Sequence, residues 1–152
     1  MTLYKIIASF FGIGFIKKGA GTVASLITCG FIYLYVTFHL YSNIRFLFLN
    51  LVLFIIGVFV SKEAEKSWGK DSNKIVIDEV FGMTISLLFL PINFITIVIA
   101  FVLFRFFDIL KPLGIRKTEK LINGWGVMVD DLVAGIYSNI IIQILIITNI
   151  IK

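Results

Sequence analysis

Nine acidic residues occur among 152, and five of them stand at the ends of apolar runs: Asp78, Glu79, Asp108, Asp130 and Asp131. A carboxylate beside lipid-compatible sequence costs free energy unless it is paired, faces water or binds a cation. Two adjacent pairs sharpen the conflict, because like charges in one low-dielectric pocket repel and raise each other's pKa. A divalent cation resolves it. With oxygen ligands alone and no thiolate cluster, the expected ion is a hard one, Mg2+ ahead of Mn2+ or Ca2+. The competing explanation places these acids at helix N-termini, where Asp and Glu are favoured. That explanation fits Asp130 and Asp131, just before the apolar run Leu132 to Ile151, about as well as a metal does. It fits Asp78 and Glu79 less well, because Ile75, Val76 and Ile77 imply a helix already begun. It fails for Asp108, near a helix C-terminus, where an anion is disfavoured.

Arg105, Asp108 and Pro112 fall on one helical stripe, with Lys111 beside it, among Phe104, Phe106 and Phe107. Arg105 can grip a carboxylate or a phosphate through two parallel hydrogen bonds; a plain Arg105–Asp108 pair closing the helix is the alternative. Gly82 and Gly135 each lie one turn beyond an acid, so a second helix or a ligand can come close there. The run Gly124-Trp125-Gly126 allows a tight turn whose amides point at an anion. Lys18, Thr22 and Ser25 lie in K-K-G-A-G-T-V-A-S, where a helix N-terminus could receive a phosphate; Thr22 as a simple N-cap explains the run equally well. His39 is the only histidine and sits in an apolar run, so histidine nucleophile chemistry is not available. There is no G-x-S-x-G elbow, P-loop or paired-aspartate D-x-D run, and Cys29 has no partner for a disulfide. Carboxylate and metal chemistry is what remains.

The elements that must position these groups are membrane helices. Hydrophobic residues make up 59% and charged residues 15% of the chain, and the mean hydropathy is +1.04, too apolar for one soluble core. The net charge of +5 sits in bases between apolar runs, a pattern of membrane orientation and lipid headgroup contact rather than of nucleic-acid binding. Apolar stretches run from Val23 to Tyr41, Phe46 to Val60, Val80 to Phe107 and Leu132 to Ile151. Segments 61–79 and 108–131 are polar and basic, and the positive-inside rule places both in the cytoplasm, along with Lys5, Lys17 and Lys18. Both can lie on one side only if a turn at Pro91-Ile92-Asn93 folds 75–110 into a re-entrant or hairpin pair, with the last helix running outward to Lys152. The expectation is an all-α, polytopic bundle of about four to five membrane helices, forming one membrane-embedded domain over 1–152. Ile6 to Ile16 is expected to be a retained interfacial helix, since Lys17 and Lys18 stand where a signal cleavage site would be.

Three ordered motifs resemble the bacterial phosphatidylglycerophosphatase A family: V-I-D-E-V-F-G-M (Val76 to Met83), F-R-F-F-D-I-L-K-P-L-G-I-R (Phe104 to Arg116) and G-W-G-V-M-V-D-D-L-V-A-G (Gly124 to Gly135). G-T-V-A-S (Gly21 to Ser25) stands where the family has P-G-T-x-G-S, with Lys18 and Ala20 in place of prolines and Ala24 in place of a glycine. The resemblance implies Mg2+-dependent hydrolysis of phosphatidylglycerophosphate to phosphatidylglycerol and inorganic phosphate, at the cytoplasmic face of the bacterial inner membrane. On this reading Asp78, Glu79, Asp130 and Asp131 hold one or two Mg2+ ions. Arg105 and Lys111 stabilise the transferring phosphoryl group, Asp108 completes the metal shell or acts as base, and Lys18, Thr22 and Ser25 contact the substrate phosphate. The rival classes are a small transporter or channel coupling ions through its acids, and a non-catalytic lipid-binding protein.

Overall fold

The computed structural model describes residues 2–112 and 114–151; Leu113 of the second motif and the terminal Lys152 lie outside the described residues. Six α-helices follow one another: α1 (Leu3–Ala8), α2 (Ala20–Thr37), α3 (Asn43–Trp68), α4 (Ile77–Ile85), α5 (Phe94–Leu110) and α6 (Trp125–Ile147). Short 3-10 turns at Ile13–Phe15 and Ile115–Lys120 complete the described residues, which contain no strand. The all-helical expectation holds.

Three helices, α2, α3 and α6, are long and apolar enough to cross a membrane. Their outward faces carry large exposed apolar side chains such as Leu26, Phe31, Ile55, Phe59, Ile140 and Ile144, the surface a lipid solvent requires. α5, with 17 residues, is about 26 Å long, and α4, with nine, only about 14 Å. The chain between them turns at Ser86 to Phe89, ahead of the expected Pro91 to Asn93, which run on without regular structure into α5. Asn93 caps α5 by accepting the Thr96 N–H at 2.9 Å. Where α4 ends, the Asn139 side-chain amide donates to Leu88 O (2.9 Å) and Ser86 O (3.2 Å), so α6 satisfies carbonyls that a longer helix would have used itself.

Two helix boundaries differ from the sequence expectation. α3 continues through the polar residues to Trp68, because Ser61 to Ser67 contains good helix formers and Glu63 pairs with Lys66 at 2.6 Å. α6 begins at Trp125, two turns ahead of the apolar run. The N-terminal segment also differs: α1 ends at Ala8, where the Ser9 hydroxyl donates to Lys5 O at 2.7 Å and accepts the Gly12 N–H at 3.2 Å. Gly12 then takes φ +98, so Ile6 to Ile16 is a helix, a turn and a 3-10 turn rather than one interfacial helix.

Close backbone contact fixes the helix crossing that matters. Gly82 of α4 faces Gly135 of α6, and a Cβ on Gly135 would meet Gly82 O at 2.6 Å and Ile85 at 3.0 Å. A core of Phe46, Met83, Leu87, Phe104 and Ile142 fills the bundle below this crossing.

Candidate metal centre

The starts of α4 and α6 and the end of α5 meet at one rim of the bundle. The Val76 N–H donates to Ala8 O at 2.9 Å, so α4 begins at Ile77 and Asp78 and Glu79 occupy its first turn. Ile75 to Ile77 are thus not a helix already under way. The reverse holds at α6. Gly124, at φ +77, caps that helix and donates its N–H to a Glu65 carboxylate oxygen at 3.0 Å. The turn does present an amide to an anion, as expected, but the anion is Glu65. Asp130 and Asp131 therefore lie past the first turn, where capping cannot account for them.

The Gly82–Gly135 contact draws α4 against α6, and one carboxylate oxygen from each of Asp78, Glu79 and Asp131 lies within 4.8 Å of the other two. The three are buried or nearly so, Asp131 being 2% exposed. Asp78 Oδ1, Glu79 Oε2 and Asp131 Oδ2 are buried without a hydrogen-bond partner, an expensive arrangement for three acids. Burial foremost, then the charges of Glu79 and Asp131, hold the Asp78 carboxyl well above its ordinary range. Burial likewise pushes Glu79 up to about 7, against the lowering effect of nearby Arg105.

This donor set fits a hard divalent cation. Its ligands are all carboxylate oxygens, each acid has one oxygen without a hydrogen-bond partner, and the spread of the cluster, within 4.8 Å, approaches the roughly 4.2 Å between opposite ligands of a Mg2+ ion with bonds of about 2.0–2.1 Å. Asp130 is turned elsewhere: its Oδ2 accepts from Lys111 Nζ at 2.6 Å and its Oδ1 accepts the Asp131 N–H at 3.1 Å. Lys111 is the residue that ends α5, at φ +46, so the pair ties the end of α5 to α6. Arg105 Nη1 donates to Asp108 Oδ2 and lies 3.9 Å from Glu79 Oε1. The helix-closing Arg105–Asp108 pair therefore forms, but it closes onto the acidic cluster.

Beside the cluster opens a polar cavity of about 370 Å3, walled by Lys17, Lys18, Gly21, Asn73, Glu79 and Arg105. Arg105 Nε is buried without a partner there, a donor available to an anion. Gly21 is required by space, since a Cβ would overlap the Glu79 carboxylate. Of the three residues expected at a phosphate, Lys18 lines this cavity. Ser25 is buried and donates to Gly21 O at 2.9 Å, and Thr22 is not the cap, because α2 starts at Ala20 behind Gly19 at φ +76. Neither is part of the cavity wall. Lys17 and Asn73 went unnominated; Lys17 was legible as a base in a glycine-rich run, while nothing local marked Asn73. His39, at φ +57, lies in the turn after α2, and Cys29 is buried within α2.

A membrane helical bundle with a buried carboxylate cluster, an arginine and a polar cavity at one rim defines a class: integral membrane proteins with an acidic centre suited to a divalent cation. The family model described as Phosphatidylglycerophosphatase A matches residues 6–146, and the chain belongs to that family. Three relatives are alike over most of their length. A protein of Bacteroides thetaiotaomicron named "Putative phosphatidylinositol-3-phosphatase" is 38% identical, covering 91% of each chain. Proteins named "Phosphatidylglycerophosphatase A" are 39% identical in Haemophilus influenzae, over 90% of this chain and 85% of that one, and 36% identical in Escherichia coli, over 89% and 78%. No solved structure matches.

Proposed function

We propose that this protein hydrolyses the phosphomonoester of phosphatidylglycerophosphate to phosphatidylglycerol and inorganic phosphate, with Mg2+ as cofactor. The reading places the site at the cytoplasmic face of a bacterial inner membrane and treats residues 1–152 as one catalytic domain. The observation that carries it is the set of three partnerless carboxylate oxygens, from Asp78, Glu79 and Asp131, beside a cavity that Arg105 enters. Family membership supplies the substrate.

Asp78, Glu79 and Asp131 hold the ion, and Asp130, engaged by Lys111, adds its charge from behind them. Bound Mg2+ neutralises charge on the phosphate oxygens and polarises phosphorus. Arg105 grips the phosphoryl oxygens with the donors that Asp108 leaves free, and Lys17 and Lys18 hold the headgroup. Asp108 orients the attacking water and takes its proton; the water oxygen adds to phosphorus, the phosphorus–ester oxygen bond breaks, and the proton held by Asp108 passes to the departing glycerol oxygen, which leaves as a hydroxyl. An aspartyl-phosphate route would instead place the phosphoryl group on an enzyme carboxylate first, a covalent, hydroxylamine-sensitive adduct that acid quenching of a single turnover with 32P-labelled lipid would trap on the protein.

The transporter reading is disfavoured because α4, α5 and α6 carry their acids at one rim and none at mid-span. The deciding assay is phosphate release in detergent from phosphatidylglycerophosphate and, because of the Bacteroides relative's name, from phosphatidylinositol 3-phosphate. Mg2+-dependent release, faster from the first lipid, is expected. Release that persists in EDTA refutes the metal centre, and preference for the inositol lipid refutes the headgroup assignment.

A further inference from the structure

A groove of about 350 Å3 runs along the seam between α2 and α5, walled by Leu26, Gly30 and Tyr33 on one side and Phe94, Val98 and Phe101 on the other. α2 leaves the rim as α5 returns to it, so the same two helices bound the polar cavity at the rim, through Gly21 and Arg105, and the apolar groove deeper down. From Gly21 to Tyr33 the seam descends about 18 Å along α2, close to the roughly 15 Å of one leaflet's hydrocarbon. Gly30 borders the open space: a Cβ built there meets nothing within 4 Å. A second apolar groove along α2 faces α3 and α4 instead, and is walled in part by Phe10 of the N-terminal segment, whose ring stands edge-on to Phe31 with centroids 6.4 Å apart.

We infer that the α2–α5 groove is the acyl-chain subsite of the active site. It receives one fatty-acyl chain of a phospholipid monoester whose phosphate lies in the polar cavity above, and a bulky side chain at position 30 would exclude that chain. This rests on the lipid-phosphatase reading for the position of the phosphate. The alignment of the two spaces along one helix pair, polar where the headgroup must be and apolar over one leaflet's depth, is what selects a lipid chain as occupant.

Gly30→Phe tests it. The added Cβ meets nothing within 4 Å and the exchange favours the helix, so the fold should be retained, as circular dichroism will check; Gly30→Ala leaves the groove open and serves as control. Full-length protein in detergent with Mg2+ is assayed on dioleoyl and on dihexanoyl phosphatidylglycerophosphate. Gly30→Phe should lower kcat/KM for the dioleoyl lipid about tenfold or more, through KM, and leave the dihexanoyl lipid within about twofold. Equal losses on both substrates, or no loss on either, overturn the inference. Native mass spectrometry with dioleoyl phosphatidic acid gives a readout independent of turnover. One lipid retained by wild type and lost from Gly30→Phe upholds the groove even if neither phospholipid is hydrolysed, a result that would sink the phosphatase reading alone. Equal retention by both proteins overturns the groove. If the face instead packs against a second copy of the chain, Gly30→Phe changes the oligomeric mass and not the chain-length preference, which also overturns it.

Discussion

Asp131→Asn should remove activity and at the same time stabilise the protein when no divalent cation is present. One oxygen of Asp131 lies within 4.8 Å of an oxygen of Asp78 and of Glu79. Two unit charges at that separation repel by about 3.5 kcal/mol at an effective dielectric of about 20, so Asp131 faces up to about 7 kcal/mol if all three acids are ionised. The strain is capped, because the cluster can take up a proton, and neutralising an ordinary carboxyl at pH 7 costs about 4 kcal/mol. The amide is neutral and nearly isosteric, so the gain in metal-free protein should be about 2–4 kcal/mol, or roughly 5–15 °C in Tm for a chain of this size. Wild type should recover in Mg2+, by about 2.7 kcal/mol at a hundred times Kd, while the variant recovers little. Thermal unfolding in detergent, with EDTA and with Mg2+, reads both terms, and phosphate release from phosphatidylglycerophosphate should fall more than about a hundredfold. A variant that is less stable than wild type in EDTA, or that keeps both its Mg2+ shift and its turnover, would refute the reasoning.

The metal-free protein should lose stability as pH rises. Glu79, at about 7 in the fold against 4.5 unperturbed, and Asp78, raised by burial, bind protons more tightly folded than unfolded. Their contribution is fully present below about pH 4.5 and is lost as pH rises through about 7, so Tm in EDTA should be higher at pH 5 than at pH 8, and saturating Mg2+ should flatten the slope. Lys111→Met strands the Asp130 carboxylate, 3% exposed, and should cost about 3–5 kcal/mol in chemical unfolding, with Lys111→Met/Asp130→Leu recovering most of it. Gly135→Val forces α6 from the Gly82 carbonyl and should cost about 1–3 kcal/mol or more by the same measure. Gly21→Val displaces the Glu79 carboxylate rather than backbone, so it should lower Mg2+ affinity by about 10–100-fold in titration calorimetry while the circular dichroism spectrum stays unchanged.

The membrane helices were legible because apolar runs of that length have no other explanation, and a break within 75–110 followed from the bases on either side of it, although the chain turns at Ser86 to Phe89, ahead of Pro91. Helix starts were less legible, and the reason is tertiary. α6 begins at Trp125 because Gly124 docks on Glu65, 59 residues earlier, and α4 begins at Ile77 because Val76 bonds to Ala8; neither contact leaves a local trace. Reading helices from apolar residues alone therefore exchanged the two acid pairs, putting Asp130 and Asp131 at a helix start and Asp78 and Glu79 within one. The acids themselves stood out, since their cost follows from residue type and neighbours. Asn73 did not, because a polar residue in a polar loop acquires a role only when the loop is folded against α2 and α5.

That exchange bears on whether capping alone could explain the cluster. Asp78 and Glu79 do sit in a first turn, where the helix dipole favours an anion by about 0.3–1 kcal/mol, or about 2 kcal/mol in the best partly buried cases. Each nevertheless faces Asp131 and the other at a separation worth about 3.5 kcal/mol per ionised pair, so the dipole leaves most of the repulsion standing. Asp131 is in a weaker position still, because the dipole's effect fades within the first turn and α6 starts six residues earlier. Arg105 and Lys111 do not close the gap, since each has an oxygen of Asp108 or Asp130 as its near partner. Three partnerless oxygens remain, on two helices that Gly82 and Gly135 hold together at backbone contact. A bundle free to relax would part those helices by a side chain and let water in; instead both helices place glycine where they cross, and this keeps the acids close enough for one cation to bridge.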